Sequence, residues 1–115
     1  MNKLSPITTH VLDVSCGKPA ANISCKLERL NSQSQWEKIG EGVTNQDGRV
    51  DTLLSSPINK GIYRIEFLTK PYFEQKKTNS FYPSVTVHFE IVSPEEHYHV
   101  PLLLSPYGYS TYRGS

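Results

Sequence analysis

Four histidines, and an arginine set just past a turn, carry most of the chemistry this chain can offer. Their spacing sorts them. His97 and His99 stand two residues apart ahead of Val100-Pro101-Leu102-Leu103-Leu104, so on a strand both imidazoles project from one face while Tyr98, Val100, Leu102 and Leu104 project from the other. His10 alternates with Leu12 and Val14 in a run where Thr9, Val11 and Asp13 take the opposite face. Arg49 opens a strand directly after Asn45-Gln46-Asp47-Gly48. The sequence finishes on Tyr112-Arg113-Gly114-Ser115, a phenol, a guanidinium and a hydroxyl placed so soon after an apolar strand that they are expected to be anchored by the core rather than frayed. Imidazoles that titrate near neutral pH, a fixed fork of guanidinium donors and a polar tail form a set suited to activating water and stabilising an oxyanion.

Each of these groups also has a plainer reading. His10 reads equally as a hydrogen-bonded histidine at the edge of a core, and Asp13 as a strand cap or the acceptor of a turn hydrogen bond. Arg49 at a strand start is commonly a solvated surface group, with Asp47 or Asp51 as a weak partner. The tail could be a frayed end whose aromatic residues serve oligomer packing. The spacing of His97 and His99 would also suit two metal ligands, but His10 would have to complete the set through the fold, and no paired Cys, Asp or Glu motif marks a third ligand. No metal and no cofactor are therefore expected. His88 lies on the wet face of its strand and reads as a surface residue. There is no Gly-x-Ser-x-Gly elbow, no Cys–His pair with an orienting third group, and no phosphate- or dinucleotide-binding glycine motif.

Period-two alternation dominates the segments that must position these groups. It is clearest in Val85, Val87, Phe89 and Ile91 against Thr86, His88 and Glu90. Thr8 to Val14, Ile23 to Leu30, Trp36 to Thr44, Arg49 to Thr52, Gly61 to Thr69, Val85 to Ile91, Tyr98 to Ser105 and Tyr107 to Tyr112 all read as strands, about eight in total. Cys16-Gly17-Lys18-Pro19, Asn45-Gln46-Asp47-Gly48, Ser55-Ser56-Pro57 and Ser105-Pro106-Tyr107-Gly108 supply turn chemistry between them. One helix is expected, over Pro71-Tyr72-Phe73-Glu74-Gln75-Lys76-Lys77, with proline in its first turn, an acid early and two lysines late, as the helix dipole prefers. Short strands at this spacing predict an all-β chain, a two-sheet antiparallel β-sandwich, because two half-apolar sheets bury their faces most simply against each other.

The 115 residues suit one domain spanning 1–115, with no internal repeat and no low-complexity linker. Twelve basic and eleven acidic residues leave a net charge of +1, which gives no electrostatic case for nucleic acid or an anionic membrane as a partner. No run approaches the length of a membrane span, and no signal peptide is evident. Two cysteines are too few for a disulfide scaffold, so a reducing cytoplasm is expected. Cys25, in step with Ile23 and Leu27, reads as a small buried hydrophobe; Cys16, beside Gly17, is harder to place.

Thr8-Thr9-His10-Val11-Leu12-Asp13, Asp47-Gly48-Arg49 and the stretch from His97 to Ser115 together resemble the transthyretin-like family, specifically its 5-hydroxyisourate hydrolase branch. The resemblance spans nearly the whole chain. It implies a transthyretin-like sandwich with one short helix after the fifth strand. It also implies cofactor-free hydrolysis of 5-hydroxyisourate, a small molecule formed by urate oxidation, to 2-oxo-4-hydroxy-4-carboxy-5-ureidoimidazoline by attack of water on a ring carbonyl. Carried over residue by residue, His10, Arg49, His99 and Ser115 become the catalytic set, and His10, Arg49 and Tyr112 the substrate contacts. Which histidine takes the proton is left open, as is the role of His97. The family further implies a homotetramer, a dimer of dimers with its sites at the dimer–dimer interface. Transthyretin carriers of the same fold lack this ending and the histidine–arginine set. A non-catalytic carrier of a small aromatic ligand is the second reading, and an interaction sandwich without a small ligand the third.

Overall fold

Residues 5–115 are described by the computed structural model. Strand β1 (Ile7–Asp13) is followed by β2 (Lys18–Pro19), β3 (Ser24–Leu30), β4 (Trp36–Val43), β5 (Arg49–Val50) and β6 (Gly61–Phe67). Helix α1 (Lys70–Gln75) then leads to β7 (Val85–Ile91), β8 (Tyr98–Ser105) and β9 (Gly108–Thr111). One sheet has the order β2-β1-β8-β9, with β5 also paired to β1, and the other has the order β4-β3-β6-β7. The expected all-β two-sheet sandwich with one short helix is what forms. Pairing is antiparallel except between β1 and β8, which run parallel from Ile7 opposite Tyr98 to Asp13 opposite Leu104. The ninth strand is β2, where the sequence reads as a turn: Gly17, at a φ of 70°, reverses the chain so that Lys18 and Pro19 fall back on Asp13 and Leu12.

The alternation works as read. Ile7 and Val11 of β1, Tyr98, Val100, Leu102 and Leu104 of β8, Cys25 and Leu27 of β3, Tyr63, Ile65 and Phe67 of β6, and Val85, Val87 and Ile91 of β7 all turn inward and form one core. Burying each large aliphatic side chain contributes about 1.5–3 kcal/mol. Cys25 is part of that core, and burial pushes its thiol up to about 12, so it is chemically quiet.

The helix begins one residue earlier than expected and stops at Gln75, before the lysines. The expected dipole pairing is absent, with no acid in the first turn and no base in the last. Lys77, at a left-handed φ of 55°, ends the helix, while Phe73 plugs the core beneath it. Lys76 turns instead toward Asp13, whose side chain is only 1% exposed. The Tyr72 hydroxyl donates to Asp13 Oδ2 at 2.7 Å, and Ser15 donates to Oδ1 through both its backbone N–H and its hydroxyl. Asp13 is thus a clamp between the end of β1 and the helix rather than a simple strand cap. Burial alone would raise its carboxyl pKa, but the hydrogen bonds from Ser15 and Tyr72 outweigh that and hold it below the usual carboxylate range. The stabilisation is therefore present at neutral pH and is lost as pH falls through that depressed pKa. Tyr72→Phe is expected to cost about 1.5–3 kcal/mol in a urea melt at pH 7, the range for a hydrogen bond to a charged group, and less once the pH is below the depressed Asp13 pKa. A cost that stays constant across the titration of Asp13 would contradict the clamp.

Candidate active site

Three backbone pairings bring the chemistry-bearing residues together on the outer face of the sheet built on β1 and β8. Thr8 lies opposite His99 and His10 opposite Pro101 across the parallel pair, while Arg49 of β5 lies opposite His10 on the other side of β1. Cross-strand partners project to the same face, so Thr8, His10, His99 and Arg49 share one surface. The Asn45–Gly48 turn sets the third pairing. Asn45 Oδ1 accepts from the backbone N–H groups of Asp47 and Arg49 at 2.9 and 3.0 Å, and Val11 N–H donates to Gly48 O at 2.8 Å. A Cβ on Gly48 would stand 2.4 Å from the Val11 carbonyl oxygen, and its φ is 74°, so only glycine lets this turn close onto β1 and place Arg49 beside His10.

The rings of His10 and His99 are 6.5 Å apart between centroids and inclined by 20°. They do not hydrogen-bond to each other. Both are half-buried, and both titrate below the ordinary histidine value of 6.5. Desolvation is the largest cause for each and the Arg49 guanidinium the second; His10 and His97 add to the effect at His99, while Asp47 and Asp51 oppose it at His10 and Asp51 alone at His99. Both imidazoles are therefore neutral at pH 7, the state a general base needs. Arg49 is exposed, and its guanidinium takes no part in the ion pairs among the described residues, Asp47 and Asp51 included. Its donors are free for a ligand.

The end of the sequence is tied to the same place. Gly114 N–H donates to the His99 carbonyl at 2.8 Å, extending the β8–β9 pairing past its last strand residue. Arg113 lies 4.3 Å over the Tyr98 ring and reaches Glu96 at 2.9 Å, while Tyr112 and His99 both border a groove of about 300 Å³ between β7, β8 and the tail. Ser115 is exposed one residue beyond the bridge to His99. Two features escape a reading of residue types. Thr8, buried beneath the histidines, has its hydroxyl 2.8 Å from His99 Nδ1 and 2.9 Å from His97 Nε2. Gly114 lies so flat against His99 that an added Cβ would stand 2.5 Å from the ring. The signal for Thr8 was its parity with His10; Gly114 had none, because only the bridge reveals the contact. His88 lies on the other sheet, exposed and edge-on to Trp36. Among the described residues no group of three or more His, Cys, Asp or Glu side chains is arranged to hold a metal ion, and no helix is long and apolar enough to cross a membrane.

A family model described as the HIUase/Transthyretin family matches residues 7–114. This chain belongs to the HIUase/transthyretin family. Within that family it is 46% identical over 113 residues to the 5-hydroxyisourate hydrolase of Mus musculus, a match that covers 96% of each protein. The 5-hydroxyisourate hydrolase of Klebsiella pneumoniae superposes with a TM-score of 0.83 at 34% identity, covering 95% of this chain and 92% of that one. Sea bream transthyretin, solved in complex with thyroxine, superposes with a TM-score of 0.87 at 32% identity, covering 96% and 95%. The family fold thus carries both a hydrolase and a protein solved with thyroxine bound, and backbone shape does not separate them. Side chains must.

The electrostatics give a test of the pairing of Arg49 with the two imidazoles. Because burial and, second to it, Arg49 lower both histidine pKa values, the acid limb of kcat/KM is expected below pH 6.5 if one of these imidazoles is the base. Arg49→Gln is expected to move that limb to higher pH as well as to slow the reaction. A limb that stays in place would show that Arg49 does not act on the histidines.

Proposed function

We infer that this protein is a 5-hydroxyisourate hydrolase, which opens the six-membered ring of its substrate without a cofactor. The observation that carries this is the outer-face cluster in which two neutral imidazoles share a surface with an unpaired guanidinium, Arg49 beside His10, while the tail is bridged onto His99. Its 46% identity with a hydrolase over almost the whole length supports the same reading. A neutral imidazole of His10 or His99 takes a proton from water as the oxygen attacks a ring carbonyl. Arg49 holds the substrate and stabilises the charge that develops on oxygen, its planar fork matching a planar, electron-rich ring edge. Tyr112 contacts the substrate, and Ser115 positions water or the base. General-base assistance of this kind is worth on the order of a hundredfold to ten-thousandfold.

The catalytic face is a floor without a wall: in one chain His10, Arg49 and His99 lie on the outside of a sheet, with half-buried Leu12 and Leu103 beside them. A facing copy would exclude water and complete the cleft. The sheets also end in β9 on one side and in β7 on the other, edges whose backbone groups can pair with a second copy. The working enzyme is accordingly a tetramer, a dimer of dimers with sites between the dimers, and a cytoplasmic one, with Cys16 and Cys25 as free thiols. Sedimentation of the active protein is expected to give four chains per particle, with turnover lost as dilution yields monomers. A fully active monomer would contradict the shared site. The carrier reading is separated by one comparison: a carrier binds a small aromatic ligand without converting it and tolerates loss of His99, whereas the hydrolase consumes 5-hydroxyisourate and does not.

A further inference from the structure

Thr8 occupies a position that the catalytic set does not use. Its side chain is 3% exposed, yet its hydroxyl is within hydrogen-bond distance of two ring nitrogens at once, His99 Nδ1 at 2.8 Å and His97 Nε2 at 2.9 Å. A hydroxyl has one proton to donate and lone pairs with which to accept. With both bonds in place, at least one of the two nitrogens must therefore carry its own hydrogen, and the tautomers of His97 and His99 are coupled through Thr8. His97, in contrast to half-buried His99, is exposed, at the start of the Tyr98 strand and beside Glu96, while Arg113 reaches its carbonyl. A line of hydrogen bonds thus runs from the catalytic face, through a buried hydroxyl, to solvent.

We propose that Thr8 and His97 are positioning residues for His99: His99 Nδ1–H donates to Thr8 Oγ1 and the Thr8 hydroxyl donates to His97 Nε2, which holds His99 in the tautomer whose Nε2 is bare. This rests on the hydrolase reading above. Opening a ring amide with water forms a C–O bond and breaks the C–N bond. His99 Nε2 accepts a proton from the attacking water and returns it to the leaving ring nitrogen as the C–N bond breaks, and the carboxylic acid that remains ionises to solvent. His99 therefore starts and ends each turnover as the Nδ1–H tautomer, with both hydrogen bonds through Thr8 in place. No oxidant, metal or further reactant is needed. Thr8 and His97 touch His99 and not the reacting atoms, so they are positioning residues. The charged and titratable groups around the line are Arg49, His10 and Asp51 at the His99 end and Glu96 and Arg113 at the His97 end.

The experiment has two arms. In the first, turnover of 5-hydroxyisourate is compared in the parent, Thr8→Val, Thr8→Ser and His97→Leu. Thr8→Val and His97→Leu are expected to lower kcat about tenfold or more, the scale for losing an outer partner of a working imidazole, with KM little changed. Thr8→Ser, which keeps the hydroxyl, is expected to stay near the parental rate. Full rate in Thr8→Val or His97→Leu, or a loss in Thr8→Ser as large as that in Thr8→Val, would overturn the positioning role, the second outcome leaving Thr8 a packing residue. His97→Leu lies at an exposed position, so it remains informative if Thr8→Val folds poorly. In the second arm, ¹⁵N shifts of the histidine rings are read above their titration: His99 is expected as the Nδ1–H tautomer in the parent and to shift toward Nε2–H, the form free histidine favours, in Thr8→Val. Finding Nε2–H in the parent would overturn the proposal. This arm needs no turnover, so it decides the hydrogen-bonded line even if the parent were to leave 5-hydroxyisourate untouched, the result that would instead remove the hydrolase reading.

Discussion

Replacing either site imidazole is expected to slow hydrolysis of 5-hydroxyisourate at least about a hundredfold, the lower range for losing general-base assistance, with little change in melting temperature. His99→Asn and His10→Asn are the informative substitutions. Both side chains are half-buried on an outer face rather than packed in the core, so an amide in place of the ring opens no cavity among the apolar residues. At position 99 the amide also keeps a polar atom near Nδ1 to meet the Thr8 hydroxyl. What each variant loses is a group able to accept a proton near pH 7. His88→Asn is the control, since His88 is exposed on the opposite sheet. Paired kinetics and melts on the three proteins check the division, which fails if the control loses as much activity as the other two.

The tail should matter to rate far more than to stability. Removing Tyr112 to Ser115 deletes the Gly114 bridge to His99 and the Arg113 contact with Tyr98, together worth about 1–2 kcal/mol, and with them an exposed Arg113–Glu96 pair. No buried apolar side chain goes with them. The same deletion releases one side of the His99 backbone and takes away a phenol beside the groove and the Ser115 hydroxyl. A shift of about 1 Å in a catalytic group can cost on the order of a hundredfold in rate. Gly114→Ala makes the sharper variant, because its Cβ would stand 2.5 Å from His99 Cδ2 and 3.1 Å from Pro101 Cγ, and either the ring or the tail must yield. It is expected to lose rate on the order of the truncation while melting within a few degrees of the parent. A truncated protein with the parental rate would show that the tail is a frayed end.

Side-chain alternation made most of this architecture legible, since a strand with one buried face leaves a period of two that survives without any partner being known. The inward sets of β3, β6, β7 and β8 were readable for that reason, as was the burial of Cys25. The parallel β1–β8 pairing was not, because nothing local distinguishes a strand whose neighbour lies some ninety residues away, at Ile7 opposite Tyr98, from one in a hairpin. The two-residue β2 falls below any periodicity, and the helix dipole argument failed because Lys76 is taken by Tyr72 and Asp13, a tertiary contact that charge spacing does not register. At the site, residue types and family spacing pointed to His10, Arg49 and His99, which the pairing of β1 with β5 and β8 brings to one face. The Thr8 contacts and the close seat of Gly114 depend on distances between segments, which no spacing along one segment contains.

Hydrolysis of 5-hydroxyisourate by these side chains without a metal is tested most directly by generating 5-hydroxyisourate from urate in situ and following its ultraviolet decay at neutral pH, with the protein exhaustively treated with chelator beforehand. The expected result is accelerated decay, unchanged by chelation and abolished to near background in His99→Asn. Decay at the spontaneous rate would contradict the claim and favour the carrier, and activity lost to chelator and restored by zinc would assign His10, His97 and His99 to a metal instead.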